Sequence, residues 1–133
     1  DDEYAVVVPK FIHCIMNDQP PPIFGTGKQS RDFTFIDNVV SANYLSAVTP
    51  GIKHEVLNVA NGVSTTVLQI VETVNKILGK NVQPQFLPVR KGDVFKTHAD
   101  ITKVQATIGF KPLVNFEDGM RKTVDYFKKA YKS

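Results

Sequence analysis

Val8, Phe11, Ile12, Ile15 and Met16 recur at the spacing of one helical face, so the pattern predicts an amphipathic helix whose first turn contains Pro9. The run Pro20-Pro21-Pro22 ends it and delivers an extended segment. Ile23-Phe24 and Phe33-Thr34-Phe35-Ile36 read as short strands on either side of a glycine-pinched loop. Asp37 is then expected to cap a helix reaching about Val48, with Val40, Tyr44 and Ala47 on one face. Val56-Leu57-Asn58-Val59-Ala60 reads as a buried strand of a parallel sheet, and Asn61-Gly62 as the turn after it.

Thr66 and Gln69 have the form of a capping box. The helix they open carries Val67, Ile70, Val71, Val74, Ile77 and Leu78 inward and stops at Gly79. Val82 to Val89, interrupted by Pro84 and Pro88, fits an edge strand. Asp100 is expected to cap a short helix stopped by Gly109, and Asn115 a final helix with Phe116, Met120, Val124, Phe127 and Tyr131 on its apolar face. The order helix, strand, strand, helix, strand, helix, strand, helix, helix implies an α/β domain.

Composition excludes more than it selects. The chain has 133 residues, enough for one domain with a real core, and is 42% hydrophobic and 22% charged. No apolar run approaches the roughly 20 residues of a membrane span, and the acidic opening Asp1-Asp2-Glu3 is not a secretory n-region. Cys14 is the single cysteine, which excludes an internal disulfide and makes a reducing cytoplasm the expected location. The net charge of +3 permits an anionic partner. No basic stripe interleaved with aromatics points to nucleic acid.

Candidate chemistry is sparse. Gly25-Thr26-Gly27-Lys28 resembles part of a P-loop, but Gln29 stands where Ser or Thr is required. No Gly-x-Gly-x-x-Gly follows a strand, no Gly-x-Ser-x-Gly elbow exists, and His13, His54 and His98 have no metal-ligand spacing. What remains is Arg31 after the glycine loop, and Arg90 before Gly92-Asp93. If the fold brings them together they can bracket a diphosphate, each through charge-assisted hydrogen bonds of roughly 1.5–3 kcal/mol, with Asp93 accepting from sugar hydroxyls. If it does not, they are two solvated turns. The free amides at the first helix's start, around Val6, Val7 and Val8, are a further anion-site candidate.

Gly25-Thr26-Gly27-Lys28-Gln29-Ser30-Arg31-Asp32-Phe33 resembles the G-x-G-x-x-x-R-D-F block of extended short-chain dehydrogenases acting on nucleotide sugars. Tyr4 to Phe11 looks like the helix preceding that block, Arg90-Lys91-Gly92-Asp93 like its late R-x-G-D element, and Ala99 to Lys103 like the capped helix after it. The resemblance implies that Arg31 and Arg90 grip the diphosphate and Asp93 meets the nucleotide ribose. It places Pro22 and Phe24 beside the uracil, Val67 as an apolar wall, and the Val7 amide facing the phosphates.

By the same resemblance the chain, residues 1–133, is the C-terminal substrate-binding portion of an NAD-dependent UDP-sugar 4-epimerase. The NAD-binding Rossmann half, with its glycine loop and Tyr-x-x-x-Lys pair, lies outside it: Tyr4, Tyr44, Tyr126 and Tyr131 have no lysine four residues on. No catalytic or metal-binding residue is therefore expected here. The implied parent is a homodimer using a UDP-sugar and NAD. The same half of a dehydratase or decarboxylase, and a stand-alone nucleotide-sugar binding module, are the alternatives. Apolar faces that would meet the absent half are expected to make the isolated chain self-associate.

Overall fold

The computed structural model describes residues 7–89 and 95–131. Nine elements follow in the order α1 (Val7–Met16), β1 (Pro22–Phe24), β2 (Ser30–Arg31), α2 (Ile36–Val48), β3 (Thr65–Thr66), α3 (Val67–Leu78), β4 (Gln85–Leu87), α4 (Thr102–Ile108) and α5 (Phe116–Ala130). The sequence of helices and strands is the expected one, an α/β arrangement with five helices and short strands. β1 pairs parallel with β4, Ile23 opposite Phe86, while β2 pairs antiparallel with β3, Arg31 opposite Thr65.

The main core lies between α1, α3 and α5. Phe11, Ile12 and Ile15 meet Ile70, Val71 and Val74 and, from α5, Met120 and Val124, with Ile23 of β1 beneath them. Each such side chain contributes about 1.5–3 kcal/mol by leaving water. Helix ends are fixed locally. Thr66 and Gln69 form the full capping box, Asn115 accepts from the Asp118 N–H, and Gly79 and Gly109 both take the left-handed conformation at φ 65°. Lys80 reaches back to the Met16 carbonyl at 2.7 Å and to Asp18 at 2.9 Å, closing the C-terminal end of α1. A second, smaller cluster joins Ala42, Val104, Ile108 and Phe110.

Five expectations need correction. Phe33 to Ile36 is not a strand. The Asp32 carboxylate is tied to the turn at Asn61-Gly62, and Phe33 turns into the main core. Asp37 is not the cap: Phe35 holds that position without a side-chain bond, and Asp37 lies in the first turn, paired with Lys122. The inner face of α2 is Asn38 and Ala42, whereas Val40 and Tyr44 are 57% and 66% exposed. Val56 to Ala60 has no strand partner among the described residues; Leu57 and Val59 pack on the smaller cluster while Val56 is 87% exposed. The third strand is instead Thr65–Thr66, and the last is confined to Gln85–Leu87.

Candidate phosphate-binding loop

The chain between β1 and β2 is built by its glycines and one buried amide. Gly27 adopts φ 73°, and a β-carbon there would lie 2.7 Å from Leu68 Cγ, so only glycine lets the loop approach α3 this closely. Gln29 folds across the loop and donates to the Phe24 carbonyl at 2.6 Å. The first amides of α3 are consumed here: Val67 donates to the Gln29 carbonyl at 3.0 Å and Leu68 to that of Gly27 at 3.1 Å. The start of α3 therefore holds the loop rather than an anion.

Arg31 emerges from this loop half-buried, its backbone paired with Thr65 and one guanidinium nitrogen donating to the Ser30 carbonyl at 2.9 Å. Ser30 is held on its other side as well. Its N–H donates to the Phe95 carbonyl at 2.9 Å, and its carbonyl accepts from Thr97 at 3.0 Å. On β1, the Gly25 N–H extends the pairing with β4 by donating to the Leu87 carbonyl at 2.8 Å, and Val89 Cγ2 would lie 3.2 Å from a β-carbon on Gly25.

Of the expected contact residues, Pro22 and Phe24 lie on β1, half-buried and paired with Gln85 and Leu87, and Arg31 lies on β2. Val67 begins α3 and is buried in the main core. Val7 opens α1 and packs against the same core; Val6 lies outside the described residues. Arg90 and Asp93 also lie outside them. Their described neighbours on either side, Val89 and Phe95, lie beside Gly25 and on Ser30 respectively.

Sequence reasoning missed a polar group behind Arg31. Asp32 accepts from the backbone N–H groups of Asn61 and Gly62 at 2.9 and 2.8 Å. Asn38, fully buried, donates to Asn61 Oδ1 and to the Val114 carbonyl, and accepts from the N–H groups of Leu113 and Val114. The available signal was an acid directly after the arginine and an Asn-Gly turn, neither of which names its partner. Among the described residues no group of three His, Cys, Asp or Glu side chains is arranged to hold a metal, and no helix is long and apolar enough to cross a membrane.

A family model described as GDP-mannose 4,6 dehydratase matches residues 4–123. The chain belongs to this family. UDP-glucuronate 4-epimerase of Thermodesulfobacterium geofontis is 33% identical over 120 residues, covering 90% of this chain and 36% of that protein. The crystal structure of UDP-glucose 4-epimerase with UDP-glucose from Thermotoga maritima superposes with a TM-score of 0.89 at 36% identity, over 98% of this chain and 41% of its own. UDP-glucuronic acid 4-epimerase from Bacillus cereus, in complex with UDP-glucuronic acid and NAD, gives 0.90 at 32% identity, over 96% and 41%. The chain thus spans about two-fifths of the length of these relatives.

Proposed function

We propose that this chain binds the UDP moiety of a nucleotide sugar, as the C-terminal portion of a cytoplasmic NAD-dependent UDP-sugar 4-epimerase. The observation that carries the reading is the double attachment of the Arg90–Asp93 flanks. Val89 rests beside Gly25, and Phe95 is hydrogen-bonded to Ser30, the residue before Arg31. The described residues on either side of the Arg90–Asp93 segment thus both touch the loop and strand that carry Arg31, which supports reading Arg31 and Arg90 as a diphosphate clamp. In this reading Arg31 and Arg90 hold the two phosphates and the Val7 amide faces them. Asp93 accepts from the ribose, Pro22 and Phe24 border the uracil, and Val67 closes the apolar side.

Among the described residues the glycine turn does not fit NAD. The Gly25-Thr26-Gly27 turn runs from β1 into another strand, β2, instead of into a helix whose first amides receive a pyrophosphate. In the proposed parent a separate Rossmann domain would hold NAD, which would supply the hydride chemistry, and the present chain would hold the nucleotide end of the substrate still. Residues 1–133 alone are expected to transfer no hydride and to give no heat with NAD. The exposed apolar face of α2 and the unpaired run from Val56 to Ala60 are proposed to pack against that domain.

Calorimetric titration of the intact protein with UDP tests the clamp. Arg31→Ala and Arg90→Ala should each lose at least about tenfold in affinity. Unchanged UDP binding in both variants overturns the assignment. The family model's dehydratase description favours one further reading, a nucleotide-sugar dehydratase with the same grip. Product analysis separates the two: an epimerase returns a sugar of unchanged mass, whereas a dehydratase releases water.

A further inference from the structure

A carboxylate beside an arginine that holds phosphate opposes the anion unless its charge is committed elsewhere. Asp32 follows Arg31 directly, and both of its oxygens are committed, one to each of the consecutive N–H groups of Asn61 and Gly62. That turn leads through residues 63 and 64 to Thr65, which pairs with the backbone of Arg31. The Arg31 main chain is therefore fixed twice to one short segment, by the β2–β3 ladder and by the carboxylate of the next residue.

The segment is itself anchored. Gly62 adopts φ 74°, and a β-carbon there would lie 2.9 Å from Ile101 Cδ1, so the turn is pressed against the lead into α4. Asn61 Oδ1 receives Asn38 Nδ2 at 3.3 Å, and Asn38 binds Leu113 and Val114 through its remaining donor and its oxygen. Every polar atom of that fully buried amide is used, a geometry with a single solution.

We propose that Asp32, backed by Asn38, is a positioning residue for Arg31: it fixes the strand from which the guanidinium reaches the diphosphate, without touching the ligand. The inference rests on the diphosphate reading above. Its signature is selective. Loss of the Asp32 latch lets the Arg31 strand shift, which weakens the phosphate contribution while the nucleoside contacts made from β1 and α3 persist.

The test compares UDP with uridine on the intact protein, for the wild type, Asp32→Asn and Val104→Ala. Asp32→Asn keeps the shape and one acceptor but turns an N–H toward a donor. Val104→Ala lowers stability from the smaller core without removing any hydrogen bond of the Asp32 latch. Asp32→Asn is expected to keep uridine affinity within about twofold and to lose about tenfold in UDP affinity, while Val104→Ala leaves the UDP-to-uridine ratio unchanged. Equal losses for both ligands in Asp32→Asn, or an unchanged ratio, overturn the inference and leave the clamp standing. A wild type that binds uridine as tightly as UDP overturns the clamp, and the inference with it.

Discussion

Leu68 donates its backbone N–H to the carbonyl of Gly27, and its side chain occupies the space a β-carbon on Gly27 would need. The loop that leads to Arg31 is thus seated on the first turn of α3, and its shape depends on one missing methyl group. Gly27→Ala adds left-handed strain, about 1–2 kcal/mol for a residue with a β-carbon, to a 2.7 Å overlap that Leu68 must relieve. The denaturant midpoint should fall by the equivalent of about 2 kcal/mol at constant m-value, and UDP affinity should fall with it. A variant with the wild-type midpoint would show that the loop does not sit where the structure has it.

The capping box makes a separate claim about the same junction. Thr66 accepts from the Gln69 N–H at 3.2 Å, and Gln69 accepts from the Thr66 N–H at 2.8 Å. Thr66→Ala should cost about 1 kcal/mol, measured by urea unfolding, and Thr66→Ser should restore most of it because only the hydroxyl is needed. Equal losses in the two variants would assign the effect to the β3 pairing of Thr66 instead of the cap.

Acid stability has an identifiable contributor on the surface. Glu117 sits between Lys76 at 3.0 Å and Arg121 at 2.8 Å, and hydrogen bonds from Lys76 first and Arg121 second hold its carboxyl below the ordinary 4.5. A depressed folded value means that the contribution is present above the unfolded value and disappears as pH falls through the folded one. Glu117→Gln should therefore be less stable than the wild type near neutrality, and the two should converge in acid. The effect is small, because the group is exposed and screened, and it should shrink further in salt. Parallel midpoint-against-pH curves for the two proteins would contradict it.

How far the chain could be read from its residues follows from how local each cause is. The α3 helix is determined within itself, by the Thr66 box, the Val67–Leu78 stripe and the Gly79 stop, and each was legible. The inner face of α2 was not, because apolar spacing favours Val40 and Tyr44, while the buried face is chosen by Asn38, whose partners Leu113 and Val114 are some 75 residues away. Val56 to Ala60 has the composition of a sheet strand, but no strand among the described residues lies beside it. Arg31 could be named as a candidate because an arginine directly after a glycine loop stands out in the sequence. The use of Asp32, one residue later, depended on a turn thirty residues downstream.

The exposed side of α2 yields the last prediction. Ile36, Val40, Tyr44 and Val48 recur every four residues and are each more than half exposed, forming an apolar stripe on a helix that otherwise has a packed face. Stripes of this kind on a soluble protein mark a contact surface. Residues 1–133 in isolation should therefore associate and bind a hydrophobic dye, and Val40→Glu combined with Tyr44→Glu should return them to monomers with little dye binding, as read by light scattering. In the intact protein the same two charges should instead lower stability, because they would be driven against the covering domain. Monodisperse, dye-silent behaviour of the isolated wild-type chain would show that the stripe needs no cover, and the proposed packing of α2 would fall.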